Sequence, residues 1–118
     1  CASGAAFGAL KEEGAVVTWG LADAGGDSSA VAELVSQGIV AIFSNNEAFA
    51  AVKRQGAVVT WGNADVGGDS TKVAEELKEG VVQIFTNAWS FAALKAGGAV
   101  AAWGHASRGG DTGTEGVR

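Results

Sequence analysis

Short apolar runs separated by turn residues dominate the chain. Ile39-Val40-Ala41-Ile42-Phe43-Ser44 is β-branched and aromatic, which predicts a strand. A polar loop, Asn45-Asn46-Glu47, follows, and Ala48-Phe49-Ala50-Ala51-Val52-Lys53 predicts a second strand. Arg54-Gln55-Gly56 reads as a hairpin turn, with Gly56 free to take positive φ. Ala57-Val58-Val59-Thr60-Trp61 predicts a third strand, ended by Gly62, with Val59 and Trp61 on one face and Val58 and Thr60 on the other. After the loop Asn63–Gly68, Asp69-Ser70 has the chemistry of a helix N-cap. Val73 and Leu77, four apart, predict a short amphipathic helix over 70–79, and Gly80 stands where a C′ glycine stops one. The segment 28–37 carries the same expectation, with Asp27-Ser28 as cap, Val31 and Val35 as the apolar stripe and Gly38 as the stop.

This β-β-β-α pattern recurs. Trp-Gly stands at Trp19, Trp61 and Trp103, and Gly-Gly-Asp begins at Gly25, Gly67 and Gly109, each with a step of 42 residues. Phe7, Phe49 and Phe91 keep that step, as do Lys11, Lys53 and Lys95, and Gly14, Gly56 and Gly98. Residues 7–48 align with 49–90 without a gap at 24 identities in 42, far beyond chance. The expectation is a mainly β single repeat domain over 1–118, with repeats at 7–48 and 49–90 and a partial third from 91 to 118. Such tandem units build an open or partial propeller-like arc, since a closed propeller needs more than three blades.

The Phe-Ala-Ala strand, the turn glycine, Val-Val-Thr-Trp-Gly and the Gly-rich loop together resemble the regulator-of-chromosome-condensation repeat, over about residues 5–111. The wording is similar to tandem arrays common in dinoflagellate algae. That resemblance implies β-propeller blades. It also implies three kinds of role: a protein-binding scaffold, a regulatory propeller acting as exchange factor or enzyme inhibitor, or an accessory subunit of an algal photosystem or another organellar membrane complex. The chain departs from the family where Gly-Gly-Asp-Ser stands for Gly-Gln-Leu-Gly, and where Asn45–Ala48 and Asn87–Ser90 stand for Gly-x-x-His. No residues of the exchange loop match, so nucleotide exchange is not carried over.

Composition narrows the chemistry. The 118 residues are 47% hydrophobic and 18% charged, enough apolar material for a core. A net charge of −5 gives no electrostatic footprint for nucleic acid. One Cys excludes an internal disulfide, and one His beside it excludes the common zinc clusters. No apolar run approaches the roughly 20 residues of a membrane-spanning helix, which leaves at most a peripheral association with a membrane complex. The chain opens at Cys1 and contains no Met, which suggests a processed or truncated chain. Organellar import, a mature lipoprotein and a boundary inside a longer array all remain open.

No catalytic, metal or cofactor site is expected. Asp23 and Asp27 are four apart, but two carboxylates fall short of a calcium loop, and Ser107 replaces the first of them in the third copy. The Gly-Gly turn lacks the Gly-Lys-Ser/Thr of a phosphate loop. His105 has Leu21 and Asn63 as its equivalents and no nucleophile motif beside it. The residues that break the repeat are therefore the candidates for partner binding. Trp89 replaces Ala5 and Glu47, Arg108 replaces Ala24 and Val66, and His105 shares the Arg108 loop. With Asn46 and Glu47 they mark a loop edge expected to meet a protein partner or further copies of the repeat.

Overall fold

The computed structural model describes residues 3–105, and the chain there is mainly β. Strands β1 (Ala6–Leu10) and β2 (Val16–Gly20) form an antiparallel pair. The second sheet is β3 (Ile39–Ser44), β4 (Ala48–Lys53) and β5 (Val58–Gly62), in that order. The third is β6 (Val81–Thr86), β7 (Ser90–Lys95) and β8 (Val100–Gly104), again in chain order. Register repeats along with sequence. Phe7 pairs with Trp19, Phe49 with Trp61 and Phe91 with Trp103. β3 and β6 each carry a register shift at the same place, between Ile39 and Ala41 and between Val81 and Gln83. Each three-stranded sheet takes its first strand from the end of one sequence period and its other two from the next.

The sheets pack face to face, and alternation along each strand assigns the faces. In the second sheet Ile39, Phe49, Ala51, Val59 and Trp61 pack with Ala6, Ala24 and Val35 of the first unit. The opposite face, Ala48, Ala50 and Val52, packs with Phe91, Ala93, Ala101 and Trp103 of the third. Five consecutive residues of β4, Ala48–Val52, are therefore buried, and a strand covered on both faces loses the in/out alternation.

Hydrogen bonds tie the sheets together at both ends. At one end Gly4 N–H donates to Asn46 C=O (2.6 Å) and Asn46 N–H to Ala88 C=O (3.3 Å). At the hairpin end Ile39 N–H donates to Gly14 C=O and Val81 N–H to Gly56 C=O, both at 3.0 Å. Gly56 sits at φ +86°, as the turn requires, and a Cβ there would lie 2.5 Å from the Val81 nitrogen.

The two expected helices are not α-helices. Over 28–37 and 70–79 the chain makes a single 3₁₀ turn each, Ser29–Val31 and Thr71–Val73, and continues as turns. Two further 3₁₀ turns, Ala22–Ala24 and Ala64–Val66, open the Gly-Gly loops. The apolar stripe keeps its destination, since Val35 and Leu77 are buried with Val31 and Val73 beside them. Its inner carbonyls still bond within the segment, Val35 N–H donating to Val31 C=O and Leu77 N–H to Val73 C=O (both 3.1 Å), but its last carbonyls serve the sheet: Val16 N–H donates to Val35 C=O and Val58 N–H to Leu77 C=O, both 2.9 Å. A segment this short gains little from helix propagation, so the bonds to the sheet edge prevail. The caps change accordingly. Asp27 and Asp69 accept from the N–H two residues on, at Ser29 (2.9 Å) and Thr71 (3.0 Å), while Ser28 and Ser70 bond the hydroxyls of Thr18 and Thr60.

Candidate functional site

The middle strands begin and the third strands end on one edge of the stack, where Ala6 pairs with Gly20, Ala48 with Gly62 and Ser90 with Gly104. Crossing there is close. A Cβ on Gly62 would lie 2.6 Å from the Glu47 carbonyl, and Gly62 holds φ +111°. The residue before each middle strand therefore meets the residue after each Trp-Gly. Leu21 N–H donates to Ala5 C=O, Asn63 N–H to Glu47 C=O and His105 N–H to Trp89 C=O, each at 2.9 Å. In the second unit the side chains join too, Asn63 Nδ2 donating to Glu47 Oε1 at 2.6 Å.

Four of the five expected contact residues share this edge. Asn46 lies on the β3–β4 loop and bonds both neighbouring loops through its backbone. Glu47 follows it and is exposed. Trp89 occupies the equivalent place on the β6–β7 loop with 39% of its surface exposed, and His105 stands beside it, exposed. Arg108, the fifth, lies outside the described residues.

Two repeat positions that the sequence did not single out shape the edge, that of Asn45 and Asn87 and that of Asn63. Asn45 is buried; its Oδ1 accepts from Glu47 N–H (3.0 Å) and Ala48 N–H (2.9 Å), and its Nδ2 donates to the Val66 carbonyl. Asn87 likewise accepts from Trp89 N–H at 2.8 Å. Their identity across the repeat was the available signal. The other is Asn63, the partner of Glu47; the variation of Leu21, Asn63 and His105 was visible, but its pairing with the preceding loop was not.

The recurrent aromatics belong to the frame. Each Phe stacks on its cross-strand Trp, with ring centroids 5.5, 5.4 and 5.4 Å apart in the three units. The Trp61 indole donates to Gly25 C=O and the Trp103 indole to Gly67 C=O, both 3.1 Å. Gly25 lies directly over the Phe49 ring and Gly67 over Phe91, so neither place has room for a Cβ. The carboxylates of this loop are solvated. The Ser29 side chain and then its backbone N–H hold the Asp27 carboxyl below the usual carboxylate range. The Thr71 N–H and then its side chain do the same for Asp69.

Among the described residues no three His, Cys, Asp or Glu side chains gather as a metal site. Among them, too, no helix is long and apolar enough to cross a membrane. No protein-family model matches the chain, and no curated protein matches it.

Proposed function

We propose that the chain is a non-catalytic repeat scaffold for protein–protein interaction, an accessory subunit of a larger assembly, with its stacked sheets forming part of a propeller-like arc. One observation carries this reading. At a single edge, a pair of touching positions changes from Ala5–Leu21 to Glu47–Asn63 to Trp89–His105, while the Phe, Trp and Gly-Gly positions beneath stay constant. Apolar, acid–amide and aromatic–imidazole pairs side by side on a fixed frame make a graded contact surface, as repeat arrays offer through their variable loops. Trp89 supplies the exposed aromatic that anchors such contacts.

The test compares immobilised wild-type chain with Trp89→Ala and with Val40→Ala, which removes an exposed apolar side chain from β3. Proteins retained from the source extract are identified by mass spectrometry. Trp89→Ala is expected to lose a partner that Val40→Ala keeps, with affinity lower by roughly tenfold to a hundredfold. An unchanged partner set for Trp89→Ala, with the unfolding midpoint also unchanged, refutes the reading.

A further inference from the structure

The packing between neighbouring sheets is directional. One side of each junction presents a stacked Phe–Trp pair. The other presents small residues and a Gly-Gly loop. At the first junction Phe49 and Trp61 meet Ala6, Gly8 and Gly25; at the second Phe91 and Trp103 meet Ala48, Ala50 and Gly67. Burial at both is nearly complete, with Phe49 0%, Trp61 4%, Phe91 1% and Trp103 3% exposed.

Among the described residues the two outer faces of the stack repeat these surfaces in part, the aromatic pair at one end and the strands of the receiving sheet at the other, while the Gly109-Gly110 loop lies outside the described residues. On the first sheet Phe7 and Trp19 stack at 5.5 Å in the register of the buried pairs, yet each is 51% exposed, and Val17 beside them is exposed although its equivalent Val59 is buried. On the third sheet Ala92, Leu94 and Val100 stand where Ala50, Val52 and Val58 form the receiving face of the second, and they are half-buried. Phe85, at the place of the packed Phe43, is 56% exposed.

We propose that the Phe7–Val17–Trp19 face of one copy docks on the outer face of the third sheet of a second copy, Ala92, Leu94 and Val100, so that copies associate head to tail. The occupant is set by complementarity already realised twice inside the chain: this aromatic face meets a sheet of this repeat whose middle strand offers alanines. A face-to-face dimer through Phe7 and Trp19 would oppose bulky rings to bulky rings. The head-to-tail contact instead continues the internal packing, and it is heterologous, so it closes into a ring or runs on as an open chain. It uses a surface separate from the Trp89 edge and does not depend on that edge having a partner.

Sedimentation velocity on the full chain, over a wide range of concentration, tests this. Wild-type protein is expected to form species larger than a monomer as concentration rises. Trp19→Arg damages the aromatic face and Ala92→Arg the receiving face; each alone is expected to weaken association by roughly tenfold or more. Mixed in equal amounts, the two variants are expected to form a 1:1 dimer, because each retains the face that the other lacks. Should Trp19→Arg lower the unfolding midpoint, Val17→Glu takes its place in the same scheme with the stacked pair intact. Wild type that stays monomeric at the highest concentration overturns the proposal. So does a mixture that stays monomeric, and so does Ala92→Arg that self-associates as strongly as wild type, which would mean aromatic faces meeting each other. Trp89→Ala is expected to self-associate like wild type, which separates this result from the partner test.

Discussion

Gly25 and Gly67 show how much of the molecule turns on a missing Cβ. Each holds positive φ, +102° and +119°, and each lies on the ring of the next unit's Phe while giving its carbonyl to the next unit's Trp. Gly67→Ala therefore meets backbone strain and a steric clash together. We expect a loss of about 2–4 kcal/mol, read as a fall in the denaturation midpoint. Gly97, which has open space around it, is the control, and Gly97→Ala is expected to change stability little. Asp27 and Asp69 act through charge. Their folded pKa values lie below the ordinary 3.8, so protonation removes an acceptor that only the folded state uses. Their contribution is fully present above that value and is lost as pH falls through the lower folded one. The Asp27→Asn, Asp69→Asn double variant is expected to lose stability less steeply than wild type as pH falls below 3.8 in an acid titration followed by circular dichroism. Both side chains are exposed, so the difference is small. The sequence made the repeated glycines visible, but not that the first of each pair serves the following unit, since that contact spans 36 residues.

Among the elements, the strands were legible and the helices were not. Residues 39–44 and 48–53 match β3 and β4, and the expected 57–61 differs from β5 by one residue at each end. Strands announce themselves through β-branched residues and turn glycines, which are local. Leu77 N–H donates to Val73 C=O as on a helical turn, but the end of the segment is held by the sheet, Val58 N–H donating to the Leu77 carbonyl, and that bond is tertiary. Helix propensity thus contributes little here, and burial carries the segment. Leu77→Ala is expected to cost about 2–5 kcal/mol in chemical denaturation, as for a core leucine, while Glu76→Ala on the exposed side is expected to be nearly neutral. The candidate edge was half legible. Trp89 and Glu47 stood out because they break the repeat; their contacts with His105 and Asn63 arise only where the Trp-Gly crossings bring distant loops together.

At the scale of the whole molecule the three sheets differ in cover, although they are built from one sequence repeat. The second is packed on both faces, whereas the first and third each have an outer face. In an array where each unit touches only its neighbours, stability follows the number of covered faces. Hydrogen exchange followed by NMR is therefore expected to be slowest in β4 and faster in β1 and β2. Equal protection in all three sheets would mean that the stack unfolds as one unit.

The bond from the Trp61 and Trp103 indoles to the preceding Gly-Gly loop has a direction along the chain, and that direction coincides with time. In both Trp61 and Trp103 the acceptor carbonyl lies 36 residues earlier in sequence than the donor. On a ribosome the acceptor loop is made first, and each new tryptophan emerges after the surface that receives it. A unit can then add to its predecessor as synthesis proceeds, without waiting for anything downstream. The polarity of one repeated hydrogen bond suits the array to assembly in the order of translation.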